Sequence, residues 1–244
     1  MNTTKHPDRL ETLSLFWVAF FLSAVMMVTF ATPASADDRQ EAAQLVEKAE
    51  MTLQSFMSDS SMDSFRDLAK QAKGILVVPQ LLKGAFVFGA SGGSGVLLIR
   101  DGKADRWFGP AFYTIGGASF GLQIGGQASE VILLLMTDRG VASMMANSFK
   151  LGVDAGVAAG PVGAGVAAST ANLSADILTF ARSKGLYGGV SLDGAVVATR
   201  EGLNGAYYGR HVTSSDILVR REVTNPKASG LLSRVTKMAC TVSC

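Results

Sequence analysis

Cysteine is nearly missing from this chain: two of 244 residues, Cys240 and Cys244, both at the extreme C-terminus. A disulfide framework stapling the fold is therefore excluded. A Cys240–Cys244 ring would constrain almost no unfolded chain, while a bridge between two chains through either cysteine stays open. Histidine is as scarce, with only His6 and His211. No His/Cys/Asp cluster has metal-ligand spacing, and no cofactor motif is present. Charged residues make up 17% of the chain, with a net charge of +2. That balance provides no basic face for nucleic acid. Proline is limited to six and glycine follows no three-residue period, so collagen-like structure is excluded. At 48% apolar the chain can bury enough surface to fold, and its length favours one domain or two.

What is abundant is glycine: 27 residues, all after position 36. The segment before it is of a different kind. Lys5 and Arg9 precede an uncharged run from Leu13 to Phe30, and Ala34-Ser35-Ala36 supplies the small-x-small pattern read by signal peptidase. The run is long for a signal core, so an uncleaved anchor is the rival reading, but the site beside it favours cleavage after Ala36. Residue 37 is Asp, which gives no lipoprotein anchor. The expected product is a mature chain from Asp37, periplasmic or secreted, with peripheral attachment to a membrane open to it.

Periodicity predicts an α+β fold: N-terminal helices packed on a long, curved, mostly antiparallel glycine-rich sheet, barrel-like or a sandwich. Apolar residues at three- and four-residue steps mark a helix over 39–57 and a second from Met62 to Ala72, with Ser58-Asp59-Ser60-Ser61 between them as cap. The period then changes. Strands are predicted at 75–78 (stopped by Pro79), 85–90, 96–100, 130–136, 177–182, 186–192 and 195–199. A Ser91–Gly95 loop, turns at Asp101-Gly102 and Asp193-Gly194, and a short helix capped by Asp138 complete the pattern. Residues 151–160 fit either an alternating strand or a glycine-zipper helix, and Asp154 with Pro161 favours the strand.

Two Gly-x-Ser-x-Gly matches, around Ser91 and Ser119, lack the helix that a nucleophile elbow requires after its serine. With His211 they form the one enzymatic alternative, a serine hydrolase. No Gly-Lys-Ser/Thr follows the Gly89–Gly95 stretch, so a nucleotide-binding loop is rejected. Trp107, Phe108 and Phe112 form the densest mature aromatic run, suited either to a core or to a membrane boundary. Lys70, Lys73 and Lys83, and Arg182, Lys184 and Arg210, are the basic groups that could meet anionic headgroups. The tail 221–244 is basic, and Leu231, Leu232, Val235 and Met238 sit there at helical spacing, as in an interfacial helix or a frayed end.

In order along the chain come Ala72-Lys73-Gly74-Ile75, Gly95-Val96-Leu97-Leu98, Trp107-Phe108-Gly109-Pro110-Ala111-Phe112, Leu151-Gly152-Val153-Asp154-Ala155 and Lys184-Gly185-Leu186-Tyr187-Gly188. These blocks resemble the SYLF domain family, the lipid-binding domain also linked to yeast actin-patch proteins. The match spans roughly Ala43 to Leu218, so a single domain is expected over 37–220. The resemblance implies a non-enzymatic phospholipid- or amphiphile-binding protein, here an exported one of the bacterial cell envelope. Lys73, Lys83, Trp107, Phe108, Phe112, Arg182, Lys184 and Arg210 are its candidate contacts. A structural or protein-interaction module of the envelope is the alternative. In eukaryotic members an N-terminal amphipathic helix contributes to membrane contact. Here 37–59 carries six acidic and two basic residues, so the membrane-facing surface is expected away from it. If the leader is removed as expected, intact-mass measurement of the protein recovered from cells will place its N-terminus at Asp37; a mass including residues 1–36 would establish the anchor instead.

Overall fold

A computed structural model of the chain describes residues 34–85, 88–102, 106–120, 125–162, 174–183, 186–188 and 192–239. The chain divides into two units at Asp37/Asp38, and everything below from Asp38 onward lies in the second. The first helix, α1, runs from Ala34 to Ser58. Asp59 accepts the Ser61 amide at 2.8 Å and ends the polar break, and a 3-10 turn leads into α2, Asp63–Ala69. The predicted helices and their cap are present, the second shorter than predicted.

Among the described residues nine strands form one sheet: β1 Gly74–Ala85, β2 Phe88–Asp101, β3 Arg106–Phe120, β4 Gly125–Leu135, β5 Ser148–Lys150, β6 Val157–Ala159, β7 Ile177–Ser183, β8 Leu186–Gly188 and β9 Val196–Thr199. Their spatial order is β5-β9-β3-β2-β1-β4-β7-β6, with β8 also on β7. Only β6–β7 is parallel. The curled, mostly antiparallel sheet with helices on it is the expected α+β architecture. Its central strands are near-continuously apolar because both faces are covered. Ile75, Val77, Val96, Leu98, Ile132 and Leu134 pack under α1, α2 and two later helices, α4 (Glu201–Tyr208) and α5 (Ser229–Ala239). Leu76, Val78, Leu97, Val131 and Leu133 alternate onto the opposite core with Phe149, Leu151 and Ile217.

Three predictions about the strands are corrected. Pro79 does not stop β1. The strand crosses it through a bulge, advancing three residues (Val77 to Gln80) where β2 advances two (Val96 to Ser94), and three (Val78 to Leu81) where β4 advances two (Val131 to Ser129). Ser91–Gly95 is accordingly not a loop but the middle of β2. A Cβ on Gly93 would collide with the Gln80 carbonyl, and one on Gly95 would lie 2.7 Å from the Val77 carbonyl, so glycine is required opposite the bulge. Residues 151–160 are neither a full strand nor a helix. A turn at 152–154 precedes the three residues of β6, with Gly152 at φ +81. The stretches 121–124, 163–173 and 189–191, and both cysteines, lie outside the described residues.

One carboxylate fastens the end of the sheet. α3, Asp138–Met144, is capped by Thr137 rather than Asp138. Asp176 (4% exposed) accepts hydrogen bonds from Thr137 Oγ1 at 2.5 Å, Arg139 Nε at 2.7 Å and the Gly156 amide at 2.8 Å. It therefore ties the helix cap, the approach to β6 and the start of β7. The Arg139 guanidinium, foremost, with Thr137 and the Gly156 amide, holds its carboxyl below the ordinary value of 3.8. A depressed folded-state pKa stabilises the fold above the unfolded value, and this stabilisation is lost as pH falls through the folded one. Asp176→Asn is expected to cost about 2 kcal/mol near neutral pH and to flatten the loss of stability below about pH 4, as thermal melts across an acid series will show.

Candidate functional site

The bulge opens a groove. Past Pro79 the sheet separates from α1, leaving a cavity of about 610 Å³ lined by Lys48, Met51 and Thr52 from the helix and by Pro79, Gln80, Glu130 and Arg182 from the sheet. A second cavity of about 240 Å³ shares Lys48, Pro79 and Gln80 with it and continues past Glu41, Gln44 and Leu45 to Leu82, Gly92 and Ser94. Together they follow α1 from Glu41 to Thr52, about 16 Å at 1.5 Å per residue.

Ion pairs close both ends. At one, Arg182 pairs with Glu130 and donates to the Ser55 hydroxyl, while Thr52 Oγ1 donates to Glu130 at 3.3 Å. At the other, Arg200 pairs with Glu41 and donates to Ser94 Oγ at 2.8 Å. Between them Lys48 is exposed and forms no ion pair among the described residues. Five large apolar side chains are exposed among the described residues. Two of the five line this groove: Met51, 61% exposed, and Leu82, 53% exposed. The groove thus presents hydrocarbon on both sides of an unneutralised cation.

Most candidate contacts named from the sequence lie elsewhere. Trp107 (6% exposed) and Phe112 are buried in the core beneath the helices, the latter edge-on to Tyr207 at 5.1 Å, so neither offers a surface for membrane insertion. Asn204 of α4 fixes this packing by accepting the Phe112 amide at 2.8 Å. Phe108 is stacked by the Arg221 guanidinium at 4.0 Å, with Arg106 at 5.8 Å. Arg221 also pairs with Asp101 at 2.7 Å. Lys73 pairs with Asp138 at 2.6 Å, and Arg210 faces Glu222 at 3.7 Å. Lys83 is exposed on the strand face opposite Leu82, while Lys184 lies outside the described residues. Only Arg182 is in the groove. The tail helix is α5, whose Leu231, Val235 and Met238 are buried against the core, leaving no free apolar face for an interface. Lys48, Met51, Leu82 and Pro79 were missed because they are distant in sequence. The available signals were an exposed Met in α1 and a proline inside an apolar strand.

The hydrolase arrangement does not form. Ser91 lies within β2 opposite Gly117, its hydroxyl donating to the Gly117 carbonyl at 3.4 Å, with strand and not helix after it. Ser119 lies in β3, also in a strand. The His211 side chain is 80% exposed and faces Glu201 at 3.9 Å. No group of three metal-ligating side chains occurs among the described residues, and no helix there is long and apolar enough to cross a membrane.

Comparison with known proteins decides the family. Residues 116–239, from the outer half of β3 through α5, match the Ysc84 family, described as Las17-binding protein actin regulator. The chain belongs to the Ysc84 family. The ordered sequence blocks pointed to this same SYLF-type domain. Similar proteins include the yeast Protein YSC84 (Saccharomyces cerevisiae), 34% identical over 168 residues, covering 67% of this chain and 35% of that one. The yeast LAS seventeen-binding protein 3 is 33% identical over 174 residues, 69% of this chain and 37% of that one. The human SH3 domain-containing YSC84-like protein 1 is 34% identical over 152 residues, 61% of this chain and 43% of the human one. The chain thus spans between about a third and under half of these relatives' length. Because Ser91 and Ser119 lack an elbow, a serine-directed fluorophosphonate is expected to leave the Ysc84-family chain unlabelled, as intact mass will show; labelling abolished by Ser91→Ala would reinstate the hydrolase.

Proposed function

We propose that this Ysc84-family chain is a non-enzymatic phospholipid- or amphiphile-binding protein of the bacterial cell envelope, exported by its leader and peripheral on a membrane. The observation that carries the reading is the groove beneath α1, where exposed Met51 and Leu82 accompany the unpaired Lys48. Hydrocarbon beside a lone cation is the surface chemistry that an anionic amphiphile complements. Part of the acidic character of α1 is cancelled within the fold. Glu41 and Glu50 are neutralised internally by Arg200 and Arg234, the latter at 2.7 Å.

A protein-interaction module is the second reading, favoured by relatives named for binding Las17 or for carrying an SH3 domain. Both readings treat the domain as a binding element without chemistry of its own. They separate in a vesicle assay.

Protein recovered from cells is expected to co-sediment with phosphatidylglycerol vesicles and to be released by salt. Trp107 emission should stay unchanged on binding, because that indole is already in the core. Failure to pellet would favour the protein-partner reading.

A further inference from the structure

Resting on the amphiphile reading, we propose that the groove beneath α1 is a site for one anionic single-chain amphiphile, a fatty acid or a lysophospholipid. Its headgroup meets Lys48, and its hydrocarbon lies on the Pro79 floor along Met51 or Leu82. Three independent features lead there.

The first is charge. The groove's arginines are already matched, Arg182 by Glu130 and Arg200 by Glu41. Lys48, at the junction of the two cavities, has no carboxylate among the described residues. One uncompensated ammonium selects one anionic head and gives no reason to bind a zwitterion or a cation.

The second is exposed hydrocarbon. Met51, from the helix, lines the larger cavity at 61% exposure, and Leu82, from the strand, lines the smaller at 53%. A hydrocarbon chain laid along either removes apolar surface from water on both partners at once.

The third is shape. The floor is kept empty by a glycine of β2. Gly92 lies on the α1 side of β2, where an added Cβ would meet nothing closer than 4.0 Å. The larger cavity, about 610 Å³, is within the range of small-molecule sites. With ion pairs at both ends, the groove is an elongated slot, which suits a linear chain better than a folded peptide.

The test uses dansylated undecanoic acid as a fluorescent probe, with oleate and lysophosphatidylglycerol as competitors and phosphatidylglycerol vesicles as a separate arm. Wild-type protein is expected to raise and blue-shift the probe's emission, and either competitor to reverse this. Gly92→Leu fills the floor without altering charge and should weaken binding at least about tenfold. Lys48→Glu should do the same, and Lys150→Glu, on exposed β5, should leave it unchanged; a tenfold change corresponds to about 1.4 kcal/mol. All three positions are open to solvent or free space, and matching thermal melts will show that the fold is retained. Probe binding unaffected by Gly92→Leu and Lys48→Glu would overturn the site. Vesicle binding without probe binding would overturn it while leaving the broader amphiphile reading standing, and absence of both would overturn the two together.

Discussion

Proline has no amide hydrogen to give to a sheet, yet β1, which pairs with a strand on each side, carries Pro79 near its middle, where neither register gives it a partner. A central strand tolerates this only by bulging, and the bulge dictates much of what surrounds it. The registers of β1 with β2 and with β4 shift together at that point. Gly93 and Gly95 follow, because any Cβ there would run into the backbone of the bulged segment. Pro79 and Gln80 at the bulge line both cavities of the groove between the sheet and α1.

The helix on the other side of that space is held by arginines from separate elements. Arg200, following β9, reaches Glu41; Arg234 of α5 reaches Glu50; Arg182 of β7 reaches Ser55. Gly230 allows the second approach, since a Cβ at that position would collide with the Glu50 carboxylate. Surface ion pairs of this sort each contribute little. Their effect is to fix where α1 lies relative to the strands, after the buried stripe from Ala42 to Phe56 has supplied the adhesion. Glu41 and Glu50, two of the acidic residues of the first helix, are therefore docking contacts within the fold.

Sequence reasoning recovered the elements whose signal is local. The apolar stripe of α1, the Asp59 cap, the runs at 75–78 and 130–136 and the Asp193-Gly194 turn all follow from spacing or residue type. It misread Ser91–Gly95 because glycine and serine suit a loop, whereas here glycine answers a bulge on the neighbouring strand, a non-local cause. Helix α4 escaped because Gly202 and Gly205 lower its propensity; Asn204, buried and bonded to the Phe112 amide, holds it in place. Trp107 and Phe112 fitted core or membrane equally well until neighbouring elements were known. The groove draws on positions 41–52, 79–94, 128–130 and 182, and no window of sequence brings those together.

The position of β9 has a consequence for how the chain comes to be folded. It lies between β3 and β5, pairing Tyr113 with Thr199 and Phe149 with Val197. The interior place between β3 and β5 is thus filled by the last of the described strands to be synthesised. Contacts so distant in sequence close slowly, because a long loop must be ordered before any pairing rewards it. During that interval the earlier strands lack a neighbour and the core on the β9 side lacks Val197. Closure of the sheet therefore waits on β9, however early the strands before it have paired.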